Sequence, residues 1–315
     1  MRRCARLLLV SLALAAPALA QETPPPAPDL PQAAAQSASS ATPPIELKPD
    51  ASGTVPQEQI RELLRRVAEK DLENEKRVRD YTYVEREEEH RLDGKGGVKK
   101  VESRTFEVMV IYGEQVERRI AKDDQPLSAE DAKKEEAKIQ KIIDKRKDES
   151  ESDRRKRLEK EEKDREEGRK FVKEIAGAYN FRLVGSETLD GHDTWVLDAE
   201  PRPGYEPASR EAKFLPKLKG RIWIDRAEMQ WVKFDVITTD TISVGLFLAR
   251  IHQGTRIVVE TTRVNDEVWL PKHVQFYVDI RLALLKNFNV DVEQTFRDYK
   301  KFRTKSTFTV VGESR

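Results

Sequence analysis

Between Gln57 and Arg79 the large apolar residues fall at Ile60, Leu63, Leu64, Val67, Leu72 and Val78. Spacings of three and four place them on one stripe and predict a helix that packs on a sheet. Thr54 and Gln57 stand three apart with Pro56 in the first turn, the pattern of a capping box. The period then changes to two. Tyr81, Tyr83 and Val84 open an alternating run to Leu92, Asp93–Gly97 reads as a turn, and Phe106, Val108, Val110 and Tyr112 share one face of a second strand. A shorter third strand is expected from Val116 to Ile120.

Residues 128–170 differ in kind. Of these 43 residues 31 are charged, 16 basic and 15 acidic, and Ile139, Ile142, Ile143 and Leu158 are almost the whole apolar content. Ser128 and Asp131 suit a helix start. So polar a helix leans on ion pairs three and four residues apart. The pattern lapses at 148–153, which predicts a hinge between two helices in a protruding insert. Phe171, Val172, Ile175 and Ala176 restore helical spacing, so the C-terminal end should dock.

From Tyr179 onward nearly every segment reads as strand. Asp190-Gly191 and Asn265-Asp266 are hairpin turns. Strands are expected at 220–225, 229–236, 255–264, 268–271 and 273–282, and again around Phe288, Val290 and Val292, with Thr307–Val311 last. Short connections and clean alternation argue an antiparallel meander, and with the helices the class is α+β.

The N-terminus sets the expected compartment. Arg2, Arg3 and Arg6 precede the apolar run Leu7–Ala16, and Ala18-Leu19-Ala20 has the form of a cleavage site. Residues 1–20 therefore read as a secretory signal peptide and the mature chain as periplasmic. Residues 21–53, rich in Pro, Ala, Ser and Gln, read as a disordered linker before a domain at 54–315. Over 315 residues, 58 basic and 57 acidic side chains nearly cancel. That balance argues against a nucleic-acid partner, and a mean hydropathy of −0.72 against a multi-span membrane protein.

No catalytic pattern stands out. His90, His192, His252 and His273 have no partners at metal-ligand spacing, the one cysteine lies in the signal sequence, and no G-x-S-x-G occurs. No enzyme, metal or cofactor is expected. Apolar stretches at Ile242–Ala249 and Leu282–Leu285 fall where hairpin ends should be polar, and Leu246 and Phe247 are candidates for membrane or partner contact.

Gly220-Arg221-Ile222-Trp223-Ile224-Asp225, Trp269-Leu270-Pro271 and Phe296–Phe302 resemble the outer-membrane lipoprotein-sorting protein superfamily, over roughly 57–127 and 171–312. That group includes the periplasmic lipoprotein carrier, its outer-membrane acceptor and related anti-sigma regulators. The resemblance implies a strongly curved antiparallel sheet, an incomplete barrel whose apolar concave face is covered by helices and takes acyl chains. The insert at 128–170 has no counterpart in the small carriers, and their gating arginine has no motif match here. On this reading the chain binds a lipid or the acyl chain of a lipoprotein, with Trp223, Trp231, Phe276, Val278, Ile280 and Phe288 as candidate lining. The alternative is an envelope protein-interaction or stress-sensing module that meets its partner through 128–170.

Overall fold

The computed structural model describes residues 45–93, 96–209, 211–244, 249–282 and 286–302. The readings of 1–20 and 21–44, Leu246, Phe247 and the strand expected at 307–311 lie outside them. Three α-helices are described, α1 (Gln57–Val78), α2 (Ala129–Lys147) and α3 (Glu151–Ala178), with a short 3-10 helix at Glu211–Lys217.

Thirteen strands form one antiparallel sheet among the described residues: β1 (Tyr81–Leu92), β2 (Val98–Ile111), β3 (Glu114–Lys122), β4 (Gln125–Pro126), β5 (Tyr179–Leu189), β6 (His192–Pro201), β7 (Leu218–Asp225), β8 (Trp231–Thr238), β9 (Ile242–Val244), β10 (Ala249–Ile251), β11 (Arg256–Val264), β12 (Val268–Leu282) and β13 (Lys286–Lys301). Their order is β4-β3-β2-β1-β13-β12-β11-β8-β7-β6-β5, with β10 and β9 continuing beside β12 where β11 ends. The two ends, β4 and β5, do not pair, so the sheet curves without closing into a barrel. Register shifts interrupt six of the pairings, for example at Thr82/Val84, Trp223/Ile224 and Glu260/Thr261. Each adds local twist, which is how a wide sheet coils.

Both hairpin dipeptides adopt the left-handed backbone that a two-residue turn needs: Asp190 and Gly191 at φ 49° and 85°, Asn265 and Asp266 at 51° and 56°. Two expected strands, 268–271 and 273–282, are one strand. Pro271 interrupts the apolar alternation but sits across from the bulge at Glu260/Thr261, where the ladder is already irregular.

The helix at 57–78 buries the expected stripe, with Ile60, Leu63 and Val67 fully enclosed. Its start departs from the expected capping box. Pro56 is the N-cap and no side chain caps the helix. The Gln57 amide instead crosses to Phe181, donating to its carbonyl and accepting its N–H at 3.0 Å. Ahead of this helix Ile45 and Leu47 pack on the core. The core joins α1, Phe171 of α3 and the inner face of β5–β8.

The charged insert lies against the sheet over part of its length rather than protruding from it. Ile139 of α2 packs on Ile111 and Val116 of β2 and β3. Glu114 of β3 takes Arg146 of α2 at 2.6 Å and Arg157 of α3 at 3.0 Å, and Glu149 between the helices joins the same two arginines. The chain breaks at 148–150 as expected, and Ser150 caps α3 by accepting the Asp153 N–H at 3.2 Å. Like the Ser128–Asp131 start of α2, this is a Ser-x-x-Asp cap.

Candidate functional site

A cavity of about 210 Å³ lies between the α1–α3 pair and the concave face of the sheet. The two helices run antiparallel, since Gln57 meets Phe181 at one end and Glu75 meets Arg169 at the other. Their inner sides supply Ala68, Leu72 and Val78 from α1 and Phe171, Val172 and Ile175 from α3. The floor comes from alternate residues of neighbouring strands: Ala199, Gly220, Ile222, Phe234, Val236, Ile257 and Val259. Cross-strand register explains the set, because Gly220 pairs with Val236, Ile222 with Phe234, and Phe234 with Val259. At Gly220 any side chain would meet the β8 backbone: a Cβ would stand 2.2 Å from the Asp235 carbonyl oxygen and 2.8 Å from the Val236 Cα. Absence of a side chain there brings β7 and β8 together under the cavity.

The concave face is not apolar throughout. Following the register from Val259 through Val274 and Gln294 leads to Glu87 on β1. There Glu85, Glu87 and Gln294 are buried together, the Gln294 amide donating to Glu85 at 3.0 Å, and Arg104 donates to Glu87 at 2.8 Å. The cavity forms over the β5–β8, β11 and β12 side, away from this polar group.

Lys173 and Gln230 also line the cavity, and several of the other polar groups along the α1–α3 side and the floor are engaged within the protein. Asn74 clamps the backbone of Trp269, donating to its carbonyl and accepting its N–H, both at 2.8 Å. Thr261 donates to the Trp231 carbonyl at 2.6 Å, and Tyr179 to that of Leu215 at 2.8 Å. Glu75 holds Arg169 at 3.2 Å and Arg79 at 3.3 Å, while Arg169 also reaches Glu162 at 3.0 Å. The hydrogen bond to Glu75 raises the Arg169 pKa, whereas burial lowers that of Arg79, helped by the charges of Arg165 and Arg169. Asp71 is different. It lines the cavity half-buried, with no hydrogen bond or ion pair among the described residues. Burial, and secondarily the like charge of Glu75, pushes its pKa up to about 6.

The residues expected to line the site divide in the structure. Trp231 lines the cavity, its ring 5.0 Å from that of Phe234. Trp223 lies on the other face of β7, corrected by one step of strand alternation: Ile222 and Ile224 pack into the core under α1, and Trp223 packs with Val196, Val232 and Trp269. Its Nε1–H donates to Glu187 at 2.8 Å, and the Lys233 ammonium stands 5.4 Å from its ring centre. Phe276 pairs with Ile257 but is half-buried outside the lining. Val278 pairs with Val290 and Ile280 with Phe288 along β12 and β13, and the side chains of Val278, Ile280 and Phe288 lie outside the described residues.

Asp71, Phe234 and the helix residues that roof the cavity were not anticipated as site residues. A carboxylate adjoining the apolar positions Val67, Ala68 and Leu72 was the signal available in the sequence. Among the described residues no group of three His, Cys, Asp or Glu could hold a metal, and no helix is long and apolar enough to cross a membrane.

No family model and no curated protein matches the sequence. Among solved structures the chain is similar to a DUF1329 family protein from Desulfovibrio piger, at 11% identity and a TM-score of 0.30, covering 80% of this chain and 95% of that one. It is similar also to a LolA superfamily protein from Nitrosomonas europaea, at 10% identity and a TM-score of 0.28, over 77% and 94% of the two chains. A third is a domain assigned to an outer-membrane lipoprotein-sorting protein from Vibrio parahaemolyticus, at 12% identity and a TM-score of 0.26, over 78% and 95%.

Proposed function

We propose that this protein is an exported, non-enzymatic binding or carrier protein that holds an apolar chain, from a lipid or a lipid-modified protein, in the cavity beneath α1 and α3. The observation that carries this reading is the cavity itself: about 210 Å³, apolar over most of its lining, and roofed by two helices. Its size exceeds the ~150 Å³ dry cavity that suffices for benzene and falls below the ~300–1,000 Å³ of common ligand pockets. A cavity of that size takes part of a long chain, and the rest requires α1 and α3 to separate. Each buried CH₂ contributes about 0.8 kcal/mol, so affinity grows with chain length and needs no catalytic group.

Purification without detergent, followed by organic extraction and mass spectrometry, tests the proposal. It predicts a stoichiometric amphiphile released from the folded protein. A ligand-free preparation that also fails to bind alkyl chains in titration contradicts it.

A further inference from the structure

Where α1 ends beside α3, three guanidinium groups share two carboxylates. Glu75 takes Arg79 at 3.3 Å and Arg169 at 3.2 Å, and Glu162 takes Arg169 at 3.0 Å and the Arg165 Nε–H at 2.6 Å. One positive charge is left over. The other charged residues of the cavity lining do not offset it: Lys219 stands 4.0 Å from Glu200, and Asp71 and Lys173 carry opposite signs. Arg165 is the largest fully enclosed side chain among the described residues, yet its Nη1 has no hydrogen-bond partner, and neither has the buried Nε of Arg79. A guanidinium taken out of water with open donors is costly, and buried donors in folded proteins normally have a partner.

Helical spacing connects this cluster to the cavity. Arg165 precedes Gly168, Arg169 and Val172 by three, four and seven residues, so it stands on the side of α3 that those three carry into the lining. Gly168 has no side chain to wall the cavity off from Arg165, and Glu75 and Arg169 lie in the lining themselves.

Resting on the carrier reading above, we infer that the cavity selects amphiphiles with a phosphate head, and that Arg165, with Arg79 and Arg169, receives it. The alkyl chain lies along Ile222, Phe234 and Trp231, and the head enters the seam as α1 and α3 separate. A planar guanidinium fork matches a pair of phosphate oxygens, and three such groups exceed what the two oxygens of a carboxylate can engage. Charge-assisted hydrogen bonding in a water-poor site is worth about a ten- to hundredfold preference. A neutral hydroxyl head gains only the weaker bond.

Calorimetric titration of the full chain at pH 7.5 with decyl phosphate, decanol and inorganic phosphate separates these cases. The expected result is binding of decyl phosphate at least tenfold tighter than either of the others. The ratio of decyl phosphate to decanol affinity should collapse toward one in Arg165→Met and fall in Arg169→Gln. The wild-type comparison stands without any variant. Decanol binding as tightly as decyl phosphate overturns the phosphate inference and leaves the cavity reading intact. Inorganic phosphate binding as tightly as decyl phosphate overturns the assignment to a lipid head, since the chain then adds nothing. A ratio unchanged in Arg165→Met overturns the role of Arg165, and one unchanged in Arg169→Gln that of Arg169. Binding of neither alkyl compound overturns the cavity reading, and this inference with it.

Discussion

Glu75 of α1 and Arg169 of α3 meet at 3.2 Å along the seam between the two helices that roof the cavity. The pair is largely shielded from water and branches to Arg79 and Glu162, so it joins the two helices through residues 94 positions apart in the chain. A double-mutant cycle with Glu75→Gln and Arg169→Gln should show coupling of about 1 kcal/mol, above the median for exposed pairs. Additive single effects would show that the two helices are held by apolar packing alone.

Asp71 gives a pH signature in stability. Its pKa rises from the ordinary 3.8 to about 6 on folding. Between those values the folded chain holds more protons than the unfolded one, so its contribution makes stability fall as pH rises through about 4 to 6, and level off above. At pH 7.5 the ionised group costs up to about 3 kcal/mol. Asp71→Asn should therefore melt higher than the wild type at pH 7.5, and the gain should vanish below about pH 4. A variant that melts lower at neutral pH would show that Asp71 is stabilised by an interaction in the folded chain.

Gly220→Ala tests the floor. The new methyl group would overlap the backbone of Asp235 and Val236, which cannot move aside as a flexible side chain can. Overpacking of this kind costs ~1–3 kcal/mol, and the upper end is expected here. Chemical denaturation measures it. An unperturbed midpoint would mean that β7 and β8 tolerate separation under the cavity.

Glu114 anchors the charged helices by receiving both Arg146 and Arg157. Glu114→Ala leaves two partly buried guanidinium groups to share Glu149 and Glu161. Local opening should become easier by about 1.4 kcal/mol, which speeds trypsin cleavage between 146 and 157 about tenfold. An unchanged cleavage rate would assign the docking of α2 to Ile139 and its apolar neighbours.

The fold was legible wherever a single period ran long enough. The stripe from Ile60 to Val78, the alternation along 273–282, and the turns at 190–191 and 265–266 each carry local information sufficient to place an element. The cap at Gln57 misled because its side chain serves Phe181, 124 residues away, and sequence spacing cannot report that competition. At the site, alternation told that Ile222 and Trp223 face opposite ways but not which one faces the helices. The larger aromatic ring is not a guide, because Trp223 finds its own partners in Glu187 and Lys233 on the other face. Asp71 could be read only once the cavity existed, since isolation from partners is a three-dimensional fact. Its neighbours in sequence, Lys70 and Leu72, reveal nothing of it.

Fluorescence quenching by an alkyl chain brominated at its end tests most directly whether an apolar chain occupies the cavity. Trp231 lines the cavity and Trp223 lies on the opposite face of the sheet. The account predicts saturable quenching of the wild type, a clear loss of that quenching in Trp231→Phe, and its retention in Trp223→Phe. Absence of saturable quenching, or an equal loss in both variants, would contradict it.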